Sequence, residues 1–188
     1  MLIAVIAYEG FTDVDLFLPF DFFHRVKVSY GAGYTGPWTV RLLSDQPRFT
    51  SYSGVTIEAQ GTLAEAAAAD AVFIVSGNGS RAKLADPSFM NALQLDPSRQ
   101  IIGAIDSGVL ILAGLGLLDG LSATTYPPVM PELEAMGVRA EMRPVVVHGN
   151  LATGGGCLAT LELCAWMVER LLDPIAATKV RASFDPNG

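Results

Sequence analysis

Residues 101–118 read IIGAIDSGVLILAGLGLL, and no other stretch limits the possible folds as much. Ile101-Ile102-Gly103-Ala104-Ile105 is a short, almost wholly apolar run of the kind that fills a strand covered on both faces. Asp106 interrupts it, Ser107 and Gly108 follow, and residues 109–118 have the length and composition of a buried helix. Strand, tight turn and helix together lift one side chain out of the carboxyl edge of a sheet. Ser107 can cap the helix, and Gly108 lets other backbone come close. A carboxylate at the turn would meet the helix amides and the positive end of the helix dipole. Two plainer readings compete: Asp106 as a simple N-cap, and the whole run, with its single charge, as a membrane span. The run contains Gly103, Gly108, Gly114 and Gly116 and lacks flanking basic or aromatic anchors, which favours a soluble core.

Either side of this stretch, apolar runs alternate with helical patterns. Residues 2–7 form a first buried strand, followed by Glu9-Gly10 and a helix expected over 16–26, with Pro19 in its first turn, where the missing N–H costs nothing. WTVRLLS at 38–44 alternates as a strand, and residues 71–75 form a third buried strand ending in the loop Ser76-Gly77-Asn78-Gly79-Ser80. Val145-Val146-Val147 and Leu151-Ala152-Thr153 bracket a His148-Gly149-Asn150 turn, and Gly154-Gly155-Gly156 opens a long helix from Cys157 to Leu172. The pattern predicts a single α/β domain over 1–188, a doubly wound, mostly parallel, flavodoxin-like sheet flanked by helices. In such sheets ligands sit outside the carboxyl ends of the strands, which points to residues 9–15, 77–80 and Asp106.

Composition excludes several functions. The 12 Lys and Arg are spread thinly over a chain of net charge −7, so no basic stripe exists to follow a nucleic acid. MLIAVIAYEG lacks the basic segment of a signal peptide, and the expected compartment is the cytoplasm. Cys157 and Cys164, seven residues apart on one helix, are ~10 Å apart along its axis, too far for a disulfide with each other. His24 and His148 do not make a metal site, and Gly154-Gly155-Gly156 lacks the Lys-Ser/Thr of a phosphate loop. No metal or cofactor is expected.

AIDSGVLILAGLGLLDGLSATTY, preceded by VFIVSGNG and followed by VVVHGNLATGGG, resembles the ThiJ/PfpI superfamily, whose fold is similar to class I glutamine amidotransferases. The spacing and the ATT and GNLATGGG segments are most similar to the isonitrile (isocyanide) hydratase branch. The resemblance spans residues 3–180. It implies a cysteine nucleophile at the position held here by Asp106, and a family acid at Asp15, four residues before Pro19. It implies an anion pocket from the amides of Gly77 and Asn78, a hydroxyl group at Ser107, and Tyr126 where many relatives carry histidine. It also implies that the helix of Cys157 lies away from the pocket, so Cys157 is read as packing, and alkylating reagents are expected to leave the site intact.

If Asp15 and Asp106 face one another within hydrogen-bond reach, they share a proton, with Asp15 its expected carrier. That pair supports two functions. One is a hydratase, lyase or hydrolase acting on a small molecule by carboxylate acid–base chemistry. The other is a binding or regulatory relative whose elbow carboxylate is similar in shape and charge to a cysteine oxidised to its sulfinic acid.

Hydrophobic residues make up 51% of the 188-residue chain and charged residues 16%, more apolar surface than one small domain readily hides. The chain is therefore expected to be a homodimer. Light scattering at micromolar concentration checks this, and a monomer mass would remove it.

Overall fold

The apolar runs Leu2–Ile6, Ala71–Ile74 and Ile101–Ile105 carry no charge, and in the computed structural model they lie side by side at the centre of the sheet. Residues 1–185 are described; the last three positions of the expected domain lie outside them.

In chain order, β1 (Leu2–Ile6) leads into α1 (Asp13–Arg25) and β2 (Thr39–Ser44). A hairpin of β3 (Arg48–Thr50) and β4 (Thr56–Glu58), then the edge strand β5 (Gly61–Thr62), precede β6 (Ala71–Ile74). Two short helices, α2 (Ser80–Leu84) and α3 (Pro87–Ala92), lead to β7 (Ile101–Ile105) and α4 (Val109–Gly114). Strand β8 (Ser122–Ala123), α5 (Met130–Ala135) and β9 (Arg139–Ala140) follow, and then the hairpin of β10 (Val145–His148) and β11 (Leu151–Gly154). Helices α6 (Thr160–Leu171) and α7 (Pro174–Ala182) close the fold.

Seven strands form the main sheet in the order β10-β11-β7-β6-β1-β2-β5, parallel throughout except for the β10–β11 pair. The chain leaves β1 on one side to make β2 and returns on the other to make β6, so the strand order reverses between β1 and β6. A crevice opens at such a reversal, outside the carboxyl ends of the strands. Loops after β1, β6 and β7 meet there, with Phe11 bridged to Gly77 and the Thr12 N–H donating to the Ser76 carbonyl at 2.9 Å. Among the described residues no helix is long and apolar enough to cross a membrane.

Local differences from the sequence reading have local causes. Helix α1 begins at Asp13, because extended Thr12 ends the preceding loop, so Pro19 falls in the second turn rather than the first. Its missing N–H leaves the Asp15 carbonyl without the usual donor one turn on. Helix α4 stops at Gly114, where Gly116 enters the left-handed region (φ +72°), and residues 117–118 continue as turn. The long helix expected from Cys157 starts as a single 3-10 turn, Cys157–Ala159, before α6. Ser107 does not cap α4; its side chain faces the loop after β6. His148 is half-buried, with Nε2 2.9 Å from the Ser122 carbonyl.

The elbow depends on Gly108. A Cβ there would stand 2.4 Å from the Val75 carbonyl oxygen and 3.0 Å from that of Ile74. Gly108→Ala must push α4 off the end of β6, and it is expected to cost about 1–3 kcal/mol. Urea unfolding followed by circular dichroism measures it; an unchanged midpoint would mean that the elbow does not rest on this contact.

Candidate active site

Asp106 takes the last step of β7 into a left-handed backbone conformation, φ +51°, the only positive φ outside glycine among the described residues. Asp tolerates that region better than most residues, yet a strained backbone of this kind costs about 1–3 kcal/mol and persists only where the surroundings hold it. Here the Thr125 hydroxyl donates to the Asp106 carbonyl at 2.7 Å. The Ser107 N–H donates to Asp106 Oδ1, and the Ser107 hydroxyl both accepts from Gly77 N (3.1 Å) and donates to Gly77 O (3.2 Å). Gly77 itself, at φ +150°, packs against the loop after β1, where a Cβ would stand 2.2 Å from Gly10 O.

Asp15 lies in the first turn of α1, fully buried. Its Oδ2 accepts from the Ser76 hydroxyl and from the Cys157 thiol, the latter at 3.4 Å. Its Oδ1 is buried without a hydrogen-bond partner. One ligand-type atom from each of Asp15, Asp106 and Cys157 falls within 4.8 Å of the others, the one such potential metal-ligating group among the described residues. Asp15 and Asp106 each accept from their own donors, Ser76 and Cys157 for the one and the Ser107 N–H for the other.

The thiol's position corrects the sequence reading. Cys157 was expected on a helix away from the pocket, but the 3-10 turn before α6 swings it against Asp15, whereas Cys164, within α6, is fully buried among apolar neighbours. Tyr8 and Ser76 were also missed. Tyr8 is buried beneath the carboxylates, with its hydroxyl donating to Val75 O at 2.8 Å. Nothing local in the sequence signals these contacts, since each joins loops far apart in the chain. The remaining expected site residues divide. Ser107 and Gly77 are bound to one another at the elbow, Asn78 is exposed, and Tyr126 is half-exposed on the wall of a neighbouring cleft.

Burial acts on both carboxyls. Burial pushes Asp15 up, while the hydrogen bonds from Ser76 and Cys157 pull it down by favouring its charged form. Burial, together with the charge of Asp15, pushes Asp106 up to about 6. Both carboxyls are therefore held above their ordinary range, and burial is the first cause for each. Burial and then the Asp15 charge push the Cys157 thiol up to about 12, so it rests protonated. Tyr8 is raised for the same reasons, burial first and then the charges of Asp106 and Asp15.

A cleft of about 580 Å³ opens beside this group, walled by Thr125, Tyr126, Met142, Arg143, Cys157 and Leu158 among others. Its walls are mainly apolar, as in sites that take small organic molecules. Cys157 belongs both to the cleft wall and to the carboxylate group.

Comparisons with known proteins agree with this architecture. The model of the DJ-1/PfpI family matches residues 1–170. The isonitrile hydratase of Pseudomonas putida is 26% identical over 140 residues, 72% of this chain and 60% of that protein. The HTH-type transcriptional regulator CdhR of Pseudomonas aeruginosa is 26% identical over 156 residues, 78% of this chain and 44% of the regulator. The chain thus spans 60% and 44% of the lengths of these curated relatives. A ThiJ/PfpI family protein from Pseudomonas syringae superposes with a TM-score of 0.85 at 25% identity, covering 100% of this chain and 76% of that one.

The raised Asp106 has a measurable consequence for stability. A carboxyl whose folded pKa is raised stabilises the fold fully below its unfolded value, near 3.8, and loses that contribution as pH rises through about 6. Asp106→Asn removes the titration and keeps an acceptor for the Ser107 N–H. Relative to wild type, the variant should therefore gain about 1–2 kcal/mol between pH 4 and pH 7.5, allowing for the group's partial exposure. Paired urea titrations at the two pH values read this directly, and a pH-independent difference would refute the assignment.

Proposed function

The chain belongs to the DJ-1/PfpI family, and we propose that it adds water to a small, electrophilic organic molecule, of which an isonitrile is the model substrate. The observation carrying this reading is the Asp106 carboxyl, raised to about 6 beside the buried Asp15 and adjoining an apolar cleft. A group with that pKa exchanges protons readily near neutral pH. The likeness to isonitrile hydratase supports the choice of substrate.

In this reading the organic substituent lies along Tyr126, Met142 and Leu158, and the reactive carbon points to the carboxylates. Asp106, as carboxylate, accepts a proton from water as its oxygen bonds to that carbon and delivers it to the carbon, and the remaining hydroxyl proton passes to nitrogen as the C=O forms. R–N≡C plus water becomes R–NH–CHO, with nothing oxidised or reduced. Burial, with the charge of Asp15 adding to it, keeps the pKa of Asp106 high enough for it to give the proton back. Gly77, Asn78, Ser107 and Tyr126 complete the proposed binding residues, with Ser107 holding the elbow to the loop after β6.

A second reading, a ligand-binding domain without turnover, is supported by the likeness to the regulator CdhR and by a Gly77 amide already committed to Ser107. One experiment separates the two. Because Asp106 must be ionised to act as base, kcat/KM for an alkyl or aryl isonitrile should rise with pH through about 6 and then level off. Asp106→Asn should abolish that rise and cost about 100-fold or more. Saturable isonitrile binding with no formamide at any pH would instead support the binding domain.

A further inference from the structure

We infer that Cys157 is the nucleophile of this site, with Asp15 as its base and Ser76 as the group that orients the base. The inference rests on the hydration reading for its substrate, but the thiol–carboxylate pair stands on geometry alone.

An activated nucleophile is recognised by three relations: a base within hydrogen-bond reach, a third group fixing the base, and access to a cavity. Cys157 meets all three. Its Sγ donates to Asp15 Oδ2 at 3.4 Å, the Ser76 hydroxyl donates to that same oxygen, and Cys157 lines the 580 Å³ cleft. Cys164 meets none of them, being wholly enclosed within α6. Asp15 is also poorly explained as a structural residue. It is fully buried, and its Oδ1 has no partner, an arrangement that costs folding free energy and is normally avoided. A carboxylate kept in that state is suited to receiving a proton.

The thiol is not a standing thiolate, since burial and the adjacent carboxylates keep it protonated. Its proton leaves only as sulfur attacks, which makes Asp15 a base in the step itself and protects the thiol from indiscriminate reaction. Sulfur bonds to the terminal isonitrile carbon while the thiol proton passes to Asp15, which returns it to that carbon and leaves the thioimidate R–N=CH–S–Cys157. Water then adds to the same carbon, its proton passing through Asp106 to nitrogen. The C–S bond breaks, the hydroxyl proton returns through Asp15 to sulfur, and R–NH–CHO departs. Water is the only co-reactant.

The first test needs no isonitrile. Iodoacetamide labelling of Cys157 at pH 7.5, followed by peptide mass spectrometry, is compared between wild type and Asp15→Asn. If Asp15 is the base, the variant should label about tenfold or more slowly. If Asp15 only repels the thiolate, removing its charge lowers the thiol pKa and labelling accelerates; acceleration or no change overturns the inference. Should Asp15→Asn not fold, Ser76→Ala serves in its place, with slower labelling again expected and an equal or faster rate overturning it. The second test is turnover. Cys157→Ala should lose about 100-fold or more in kcat for an isonitrile that the wild type hydrates. A variant that retains turnover overturns Cys157 while leaving hydration intact. Wild-type protein that hydrates no isonitrile removes the hydration reading, and the labelling comparison still decides the pair.

Discussion

The arrangement around the site follows from one desolvated charge. Asp15 is taken entirely out of water, a step that is costly for a carboxylate unless nearby donors compensate. Two donors converge on one of its oxygens, from Ser76 and Cys157, and its place in the first turn of α1 lets the helix dipole favour the negative form. The compensation is incomplete, because the other oxygen has no partner. The residual field then acts on every titratable neighbour in the same direction, pushing Asp106, Cys157 and Tyr8 towards their protonated forms after burial has already done so. One buried carboxylate therefore adds to what burial does at three other groups.

That charge stays in place because the sheet brings its partners together from three loops. Asp15 follows β1, Ser76 follows β6 and Asp106 follows β7, and these strands are adjacent, β7-β6-β1, at the reversal in strand order. Close backbone contacts lock the loops: Phe11 against Gly77, Ser107 against both backbone polar groups of Gly77, and Gly108 against the end of β6. The left-handed backbone of Asp106 is tolerable only within this framework. Strain at one residue and a bare oxygen at another lie side by side, and a rigid sheet edge holds both.

Much of this was legible in the sequence, for identifiable reasons. The buried strands announce themselves as short uncharged runs, the β10–β11 hairpin by its Gly149-Asn150 turn, and the elbow by one charged residue between two apolar runs. The family and the doubly wound fold follow from motifs in a fixed order, and both hold. What failed were quantities that depend on packing between distant segments. Helix α1 starts three residues early because the loop after β1 is pinned to Ser76, not because its own sequence changes there. Cys157 looked like one more buried cysteine at a helix start, and only the path of the chain after β11 turns it inward. The hydrogen bonds that stabilise the Asp15 charge come from residues 61 and 142 positions away in the chain.

Two carboxyl groups close together are useful only if they differ, because identical neighbours would share one proton and one role. Here burial raises both, and their donors differ. Asp15 is the more deeply buried of the two, and burial alone would make it the proton holder. Ser76 and Cys157 oppose that by bonding to its charged form, while at Asp106 the amide and hydroxyl of Ser107 and the charge of Arg81 pull down and the charge of Asp15 pushes up. In the proposed reading the more buried acid serves as the standing base, and the more accessible one trades protons with the cleft. A thiol next to the standing base and a water next to the proton trader would be activated separately, as an addition followed by a hydrolysis requires. On this argument the side-chain hydrogen bonds to Asp15, more than the identity of the elbow residue, decide what chemistry the pocket can perform.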